Sequence, residues 1–303
     1  MDTPLATSAG TRLALSIGDV RIEVLDRERA WRFAPGDPHA DFVVPEEGPA
    51  DIRLTVRRGP AAPPAGGGCI YSTEGGLWNL YRDRGDLLFA LGAPAEGGNL
   101  HRLARVDGAV SQGDVCITPA GDAPGFHPYP LRYPLDELLL INHLARGRGA
   151  ILHACGVIAP GGGGWLFVGR SGAGKSTLSD LWAPRAGATI LSDDRVILRP
   201  EGDGYRMHGT PWHGDAAASS PRSAPLAGIF LLAHAAENRA RAARPEDAVA
   251  HLLVNCFAPF YDAAGMDWTL AFIAALAERV SVRHLEFLPA PSAIDYLLSG
   301  EAA

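Results

Sequence analysis

From Arg12 to about Thr118 the chain runs in short stretches that alternate apolar and polar positions or are rich in β-branched and aromatic residues: LALSI, VRIEVL, DFVV, IRLTVR, GLWNLYR, DLLFAL and DVCIT. Glycine, proline and aspartate separate them, which predicts a mostly antiparallel β region. APPAGGG at 62–68 reads as a loop inside that region, and GDAPGFHPYP at 121–130 as a linker. After Pro134 the period changes from two to that of a helix: PLDELLLINHLARGRG sets Leu135, Leu138, Leu139 and Leu144 on one stripe and ends in glycine. Two apolar runs follow, ILHACGVIA and WLFVG, and the PGGGG between them suits a hairpin. LSDLW continues as a helix, ATILSDD reads as a strand ending in two carboxylates, and RVILRP, GYRMHG and LAGIFLLA read as further strands. Met266, Leu270, Ile273, Ala277 and Val280 recur at helical spacing. The pattern therefore predicts two domains, a β-rich 1–130 and an α/β 131–303.

Composition narrows the function classes. The 303 residues carry 27 basic and 34 acidic side chains, a formal charge of −7, with 47% hydrophobic and 20% charged residues. Disorder and collagen-like structure are excluded, and a broad nucleic-acid-binding surface is argued against, although one basic pocket for a nucleotide is not. MDTPLATSAGTRLAL lacks a basic stretch followed by an apolar one, and no segment reaches eighteen apolar residues. The expectation is a cytoplasmic chain with no membrane partner. Cys69, Cys116, Cys155 and Cys256 lie too far apart for a CxxC pair, which favours reduced core residues over metal ligands.

The chain has a single lysine, Lys175, and it falls within GRSGAGKST. Gly169, Gly174, Lys175 and Ser176 fit GxxxxGK[ST], preceded by a strand-like and followed by a helix-like segment. Given the lysine, the other three positions match by chance roughly once in a thousand. The chemistry explains the spacing. Glycines let the backbone from Gly169 through Arg170, Ser171, Gly172, Ala173 and Gly174 curl so that its N–H groups point at phosphate oxygens. Lys175 reaches the β- and γ-phosphates, the Ser176 hydroxyl is a magnesium ligand, and Thr177 continues into the helix whose positive end faces the anion. The expected cofactors are ATP and Mg²⁺. Asp193 and Asp194 end the next strand, where one carboxylate can hold magnesium and the other take a proton from an attacking hydroxyl.

ILHACGV, GRSGAGKST and LSDD together resemble the HPr kinase/phosphorylase-like proteins of the phosphoenolpyruvate-carboxykinase-like P-loop superfamily, over roughly Ile151 to Leu198. The resemblance implies an α/β fold: a carboxykinase-like P-loop kinase core with a mixed sheet, preceded by the β region. It implies that His153 serves the site, that Lys175 and Ser176 belong to the ATP loop, and that Asp193 is the base beside a magnesium-binding Asp194. The reaction implied is transfer of the γ-phosphate to a hydroxyl, a serine of a protein or peptide. The bifunctional enzyme's carboxyl-terminal signature is not matched, so the acceptor is not narrowed to HPr. A small-metabolite kinase and a non-catalytic ATP-binding sensor or assembly protein stay open, as does a homo-oligomer. Arg170, Arg195 and Arg222 are candidate γ-phosphate cations. His208 and His213, in HGTPWHG beside Asp215, read as a structural or substrate-facing loop before a metal site, and RARAAR at 239–244 as a solvated surface.

Overall fold

A computed structural model describes residues 12–27, 39–62, 68–73, 77–92, 100–118 and 129–300. The expectations for the amino-terminal segment, and for most of the loop at 62–68 and the linker at 121–130, lie outside them. The chain divides into two compact units, one of Met1–Ser16 with Val20–His143, the other of Ile17–Asp19 with Leu144–Ala303. The division falls after His143, not at 130/131, and the first helix goes with the first unit.

That unit holds β1 (Arg12–Ile17), β2 (Val20–Asp26), β3 (Ile52–Arg58), β4 (Gly68–Ser72), β5 (Trp78–Asp83), β6 (Asp86–Gly92), β7 (Leu100–Val106), β8 (Gln112–Ile117) and α1 (Leu135–Leu144). The strands form one sheet in the order β1-β2-β3-β8-β7-β6-β5-β4. β4 to β8 is an antiparallel meander, but β2–β3 and β3–β8 pair in parallel, so the sheet is mixed. DFVV makes a 3-10 turn over Ala40–Phe42 and a single bridge from Val43 to Leu15 instead of a strand. α1 is anchored by side chains as well as by its leucines: buried His39 meets Asp136 at 2.8 Å, and His143 Nδ1 lies 2.9 Å from the Val110 carbonyl.

The second unit contains β9 (Ala150–Ile158), β10 (Gly164–Val168), α2 (Lys175–Trp182), β11 (Thr189–Ser192), β12 (Arg195–Glu201), β13 (Gly204–His208), β14 (Ser223–His234), β15 (Arg239–Ala242), α3 (Pro245–Val254), β16 (Cys256–Phe257), α4 (Ala263–Arg279), β17 (Val282–Phe287) and α5 (Ser292–Leu298). Its nine strands make a second mixed sheet. The pairings β10–β9–β12–β13–β14 return to β10, with β14 running parallel to β10 and β17 parallel to β14. The parallel strands are largely apolar because both their faces are buried. Leu166, Val168, Ile229 and Leu231 pack with Leu252 of α3 and Phe272, Ile273 and Leu276 of α4, while Phe167 and Phe230 pack with Leu178 and Trp182 of α2 and Ile294 and Leu297 of α5.

The expected fold class is corrected by these sheets. Among the described residues strand makes up 42% and helix 22%, in two large mixed sheets of eight and nine strands, so the fold is mostly β and not a compact α/β P-loop kinase core. The helices expected from the pattern are present; what the α/β assignment undercounts is strand. The apolar pattern does not mark β4, β7, β15 or β16, and two of the strands that it does mark, β12 and β13, pair antiparallel as a hairpin. Among the described residues no helix is long and apolar enough to cross a membrane.

Candidate functional site

The loop between β10 and α2 is shaped by its glycines. Gly172 and Gly174 have φ of +81° and +101°, a region in which a side chain is strained. A Cβ on Gly169 would stand 2.6 Å from the Ala173 methyl, and one on Gly174 would stand 2.5 Å from Phe287 Cζ and 2.8 Å from His234 Cε1. The curl thus requires glycine for close approach as well as for conformation. Gly174 is the N-cap of α2, and the helix's first amides face the loop. Lys175 is 7% exposed, and its Nζ donates to the carbonyls of Gly169 at 2.8 Å and Arg170 at 3.3 Å. Burial pulls the ammonium below the ordinary lysine range, against the opposing charge of Asp194.

Two strands bring the remaining groups to this loop. β9 pairs with β12 so that His153 lies opposite Arg195, and the Ala154 amide donates to the Asp194 carbonyl at 3.0 Å. The bend between β11 and β12 therefore holds Asp193 and Asp194 beside His153. The resulting pocket, of about 350 Å³, is lined by Ser171, Gly172, Gly174, Lys175, Ser176 and Thr177 on the loop side and by His153, Asp193, Asp194, Gly214, Asp215 and His234 around it. Gly169, Arg170 and Ala173 belong to the loop but do not line the pocket.

The two carboxylates are held differently. Asp194 meets His153 Nε2 at 3.1 Å and is ion-paired to Arg195, whose guanidinium also stacks 5.1 Å from the Phe257 ring. Burial raises the Asp194 carboxyl, but the hydrogen bond from His153 and the charges of Arg195, His153 and Lys175 outweigh it and hold it below the usual carboxylate range. Asp193 is 2% exposed and accepts two backbone hydrogen bonds of 2.9 Å, from Gly214 to Oδ1 and from Ala216 to Oδ2. His153 is thus the partner of Asp194, not of Asp193.

Of the other candidates, Arg195 reaches the site through Asp194, while Arg222 donates to Thr189 Oγ1 at 2.7 Å and lines no part of the pocket. His208 is buried on β13, whereas His213 is exposed with Nδ1 3.1 Å from the Gly214 carbonyl; neither lines the pocket. Of the remaining pocket residues, His234 escapes a sequence-based reading, and Asp215 enters it only beside His208 and His213, in a loop read as structural or substrate-facing. His234 ends the apolar run of β14 as Gly169 follows that of β10, and the carboxyl ends of parallel strands are where ligand groups collect; that position is the available signal. Cys116 and Cys155 are buried and Cys69 is exposed. Burial pushes the Cys155 thiol well above its ordinary range, so near Lys175 it is an uncharged packing group. No protein-family model matches the chain, and a search of curated proteins finds no significant match.

Proposed function

We propose that this protein is an ATP- and Mg²⁺-dependent phosphotransferase that moves the γ-phosphate to a hydroxyl, a serine of a protein or peptide. The observation that carries the reading is the pocket itself, which brings the buried Lys175 and the amino end of α2 against Asp193, Asp194 and His153. The loop suits a polyphosphate: a Cβ would collide at Gly169 and Gly174, Gly172 and Gly174 take the left-handed backbone that lets the loop curl, and the buried Lys175 ammonium lies against the loop's own carbonyls. The three stretches that resemble the HPr kinase/phosphorylase-like proteins all contribute to that pocket.

When bound, Mg²⁺ and ATP supply an activated phosphoryl group whose charge is already partly neutralised. Lys175 turns from the Gly169 and Arg170 carbonyls to the β- and γ-phosphate oxygens, and the amides of the loop and α2 hold the remaining charge. Ser176 and a carboxylate of the site hold the metal. Transfer forms a bond from the acceptor oxygen to the γ-phosphorus, breaks the bond from that phosphorus to the β–γ bridging oxygen, releases ADP and hands the hydroxyl proton to a carboxylate. A loose transition state asks little of the base, so a carboxylate of depressed basicity is adequate and positioning carries most of the acceleration.

The test is transfer from γ-labelled ATP with Mg²⁺ into a host extract separated into protein, peptide and metabolite fractions. Label is expected in one macromolecular species, and Lys175→Ala is expected to weaken nucleotide binding about 10- to 100-fold, the worth of a charge-assisted phosphate contact. Label confined to a small compound would shift the acceptor to a metabolite. Nucleotide binding with no transfer into any fraction, in an extract shown to contain acceptors for related kinases, would leave a sensor or assembly role.

A further inference from the structure

Asp193 is held in an unusual way for a catalytic base. Its carboxylate is buried, and each oxygen receives a backbone N–H from one short loop: Gly214 to Oδ1 and Ala216 to Oδ2, both at 2.9 Å. The loop approaches so closely that a Cβ on Gly214 would lie 2.9 Å from Asp193 Oδ2 and 3.5 Å from the Asp194 Cβ, so only glycine allows the clamp. The same bend grips the loop elsewhere. Ser192 Oγ donates to the Trp212 carbonyl at 2.9 Å, Thr210 Oγ1 donates to the Arg195 carbonyl at 2.6 Å, and Ser192 bridges Ser219. Within the loop the Ala217 amide donates to the Gly214 carbonyl at 3.1 Å, closing a turn with Asp215 inside it.

The residue between the two clamped amides is Asp215, an exposed carboxylate that lines the pocket with Lys175 and Ser176. A carboxylate on a polar surface loop ordinarily samples many positions; here the backbone on both sides is tied to one buried anion. The clamp places a third carboxylate in the wall of a pocket whose other side is the phosphate loop.

Resting on the phosphotransferase reading above, we infer that Asp193 is a positioning residue, which clamps the 212–217 loop so that Asp215 faces the magnesium of the bound nucleotide, and that the carboxylate left to meet the acceptor hydroxyl is Asp194 beside His153. Two of the lone pairs of Asp193 are committed to amides, and moving the carboxylate toward an acceptor would break both bonds. Asp194 is the more exposed of the pair, and its two oxygens meet side chains, His153 at Oδ1 and Arg195 at Oδ2, rather than the backbone of a loop. Magnesium bound with nucleotide keeps most of its waters and needs only one or two carboxylates, which Asp215 supplies directly or through that water shell. The hydroxyl proton passes to Asp194 as the bond to phosphorus forms.

The experiment uses the full chain and has an arm that needs no nucleotide. Hydrogen exchange at the Gly214 and Ala216 amides is compared in the wild type and in Asp193→Asn, whose amide group can accept only one of the two bonds. Exchange at one or both is expected to quicken at least about tenfold, the equivalent of losing one hydrogen bond. In the second arm, the Mg²⁺ concentration that half-saturates binding of a fluorescent ATP analogue is measured for Asp193→Asn, Asp215→Asn and the double variant. Each single change is expected to raise it about tenfold, and the double change no further than the larger single, because both remove the same carboxylate from the metal. At saturating Mg²⁺, Asp194→Asn is expected to lose kcat.

Additive effects in the double variant would overturn the inference, as would an Asp193→Asn chain with native exchange at both amides and no turnover, which would make Asp193 the base. Asp215→Asn changes an exposed side chain, so it reports on the metal even if the Asp193 variant folds poorly. If the wild type binds no nucleotide analogue at any Mg²⁺ concentration, the phosphotransferase reading and the role given to Asp215 fall together, while the exchange arm still decides whether Asp193 holds the loop.

Discussion

At the scale of single residues, the phosphate loop offers a pair of glycines that separate two costs. A Cβ on Gly172, at φ +81°, would have no neighbouring atom within 4 Å, whereas one on Gly174, at φ +101°, would have Phe287 and His234 inside 3 Å. Gly172→Ala is therefore expected to cost only the left-handed backbone, about 1–2 kcal/mol. Gly174→Ala adds overpacking of about 1–3 kcal/mol, and should also shift the N-cap of α2 and weaken nucleotide binding. Thermal unfolding checks the order, since each kcal/mol lowers Tm by roughly 2–4 °C in a chain of this size; equal midpoints for the two variants would mean that Phe287 and His234 do not press on the loop. The same residues show what is legible in the sequence. Lys175, Ser176, Asp193, Asp194 and His153 stand in runs whose spacing has a chemical reason, and all of them line one pocket. His234 is not legible, because it arrives through parallel pairing with a strand about sixty residues away, and for Asp215 only its loop is legible, because the backbone amides that hold it leave no mark in the side-chain pattern.

At the scale of elements, α2 is fixed by one large side chain. Trp182 is fully buried, edge-on to Trp165 at 5.6 Å and against Phe167 at 6.5 Å, and with Leu178 one turn earlier it forms the apolar stripe of an eight-residue helix. A helix this short has little stability of its own, so packing must hold it in register with the loop that it follows. Trp182→Ala is expected to destabilise the protein by about 3–5 kcal/mol, and Trp182→Phe by much less; chemical denaturation with matched m-values measures both, and a neutral Trp182→Ala would show that the loop and not the tryptophan holds α2. This helix, α1 and α4 are readable because their stripes repeat at helical spacing. RARAAR is not: residues 239–242 form the edge strand β15, pairing antiparallel with β17. Arginine and alanine carry little strand preference, and the hydrogen bonds of β17 supply what the side chains do not. DFVV fails in the opposite direction, its apolar pattern serving a 3-10 turn that buries Phe42. Errors of this kind add up to the corrected fold class, since each missed edge or two-residue strand counts as loop.

At the scale of the whole molecule, stability against pH is set in the weakly acidic range by a histidine that the fold keeps neutral. His208 is 4% exposed on β13, and burial pulls its pKa down to about 4; Asp19, 3.6 Å away, and Glu201 oppose that shift, while Arg199 and Arg206 add to it. An unfolded histidine titrates near 6.5, so between about pH 6.5 and 4 the unfolded chain binds a proton that the folded chain refuses. Stability from this group is therefore complete above about pH 6.5 and falls as the pH drops, by about 3 kcal/mol once pH 4 is reached. His284, also lowered, first by burial and then by Arg241 and His251, acts in the same sense. Glu23 and Asp194, whose carboxyls lie below their ordinary values of 4.5 and 3.8, begin to lose their contributions only at the acid end of the window, and do so equally in both chains. His208→Gln removes the titration while keeping a polar side chain of similar length. The expected result is that the stability of the wild type, measured by denaturant unfolding, falls between pH 7 and 4.5 by about 2 kcal/mol more than that of His208→Gln, the two curves approaching as acid is added. Parallel curves over that range would mean that His208 is protonated in the fold, with Asp19 outweighing burial.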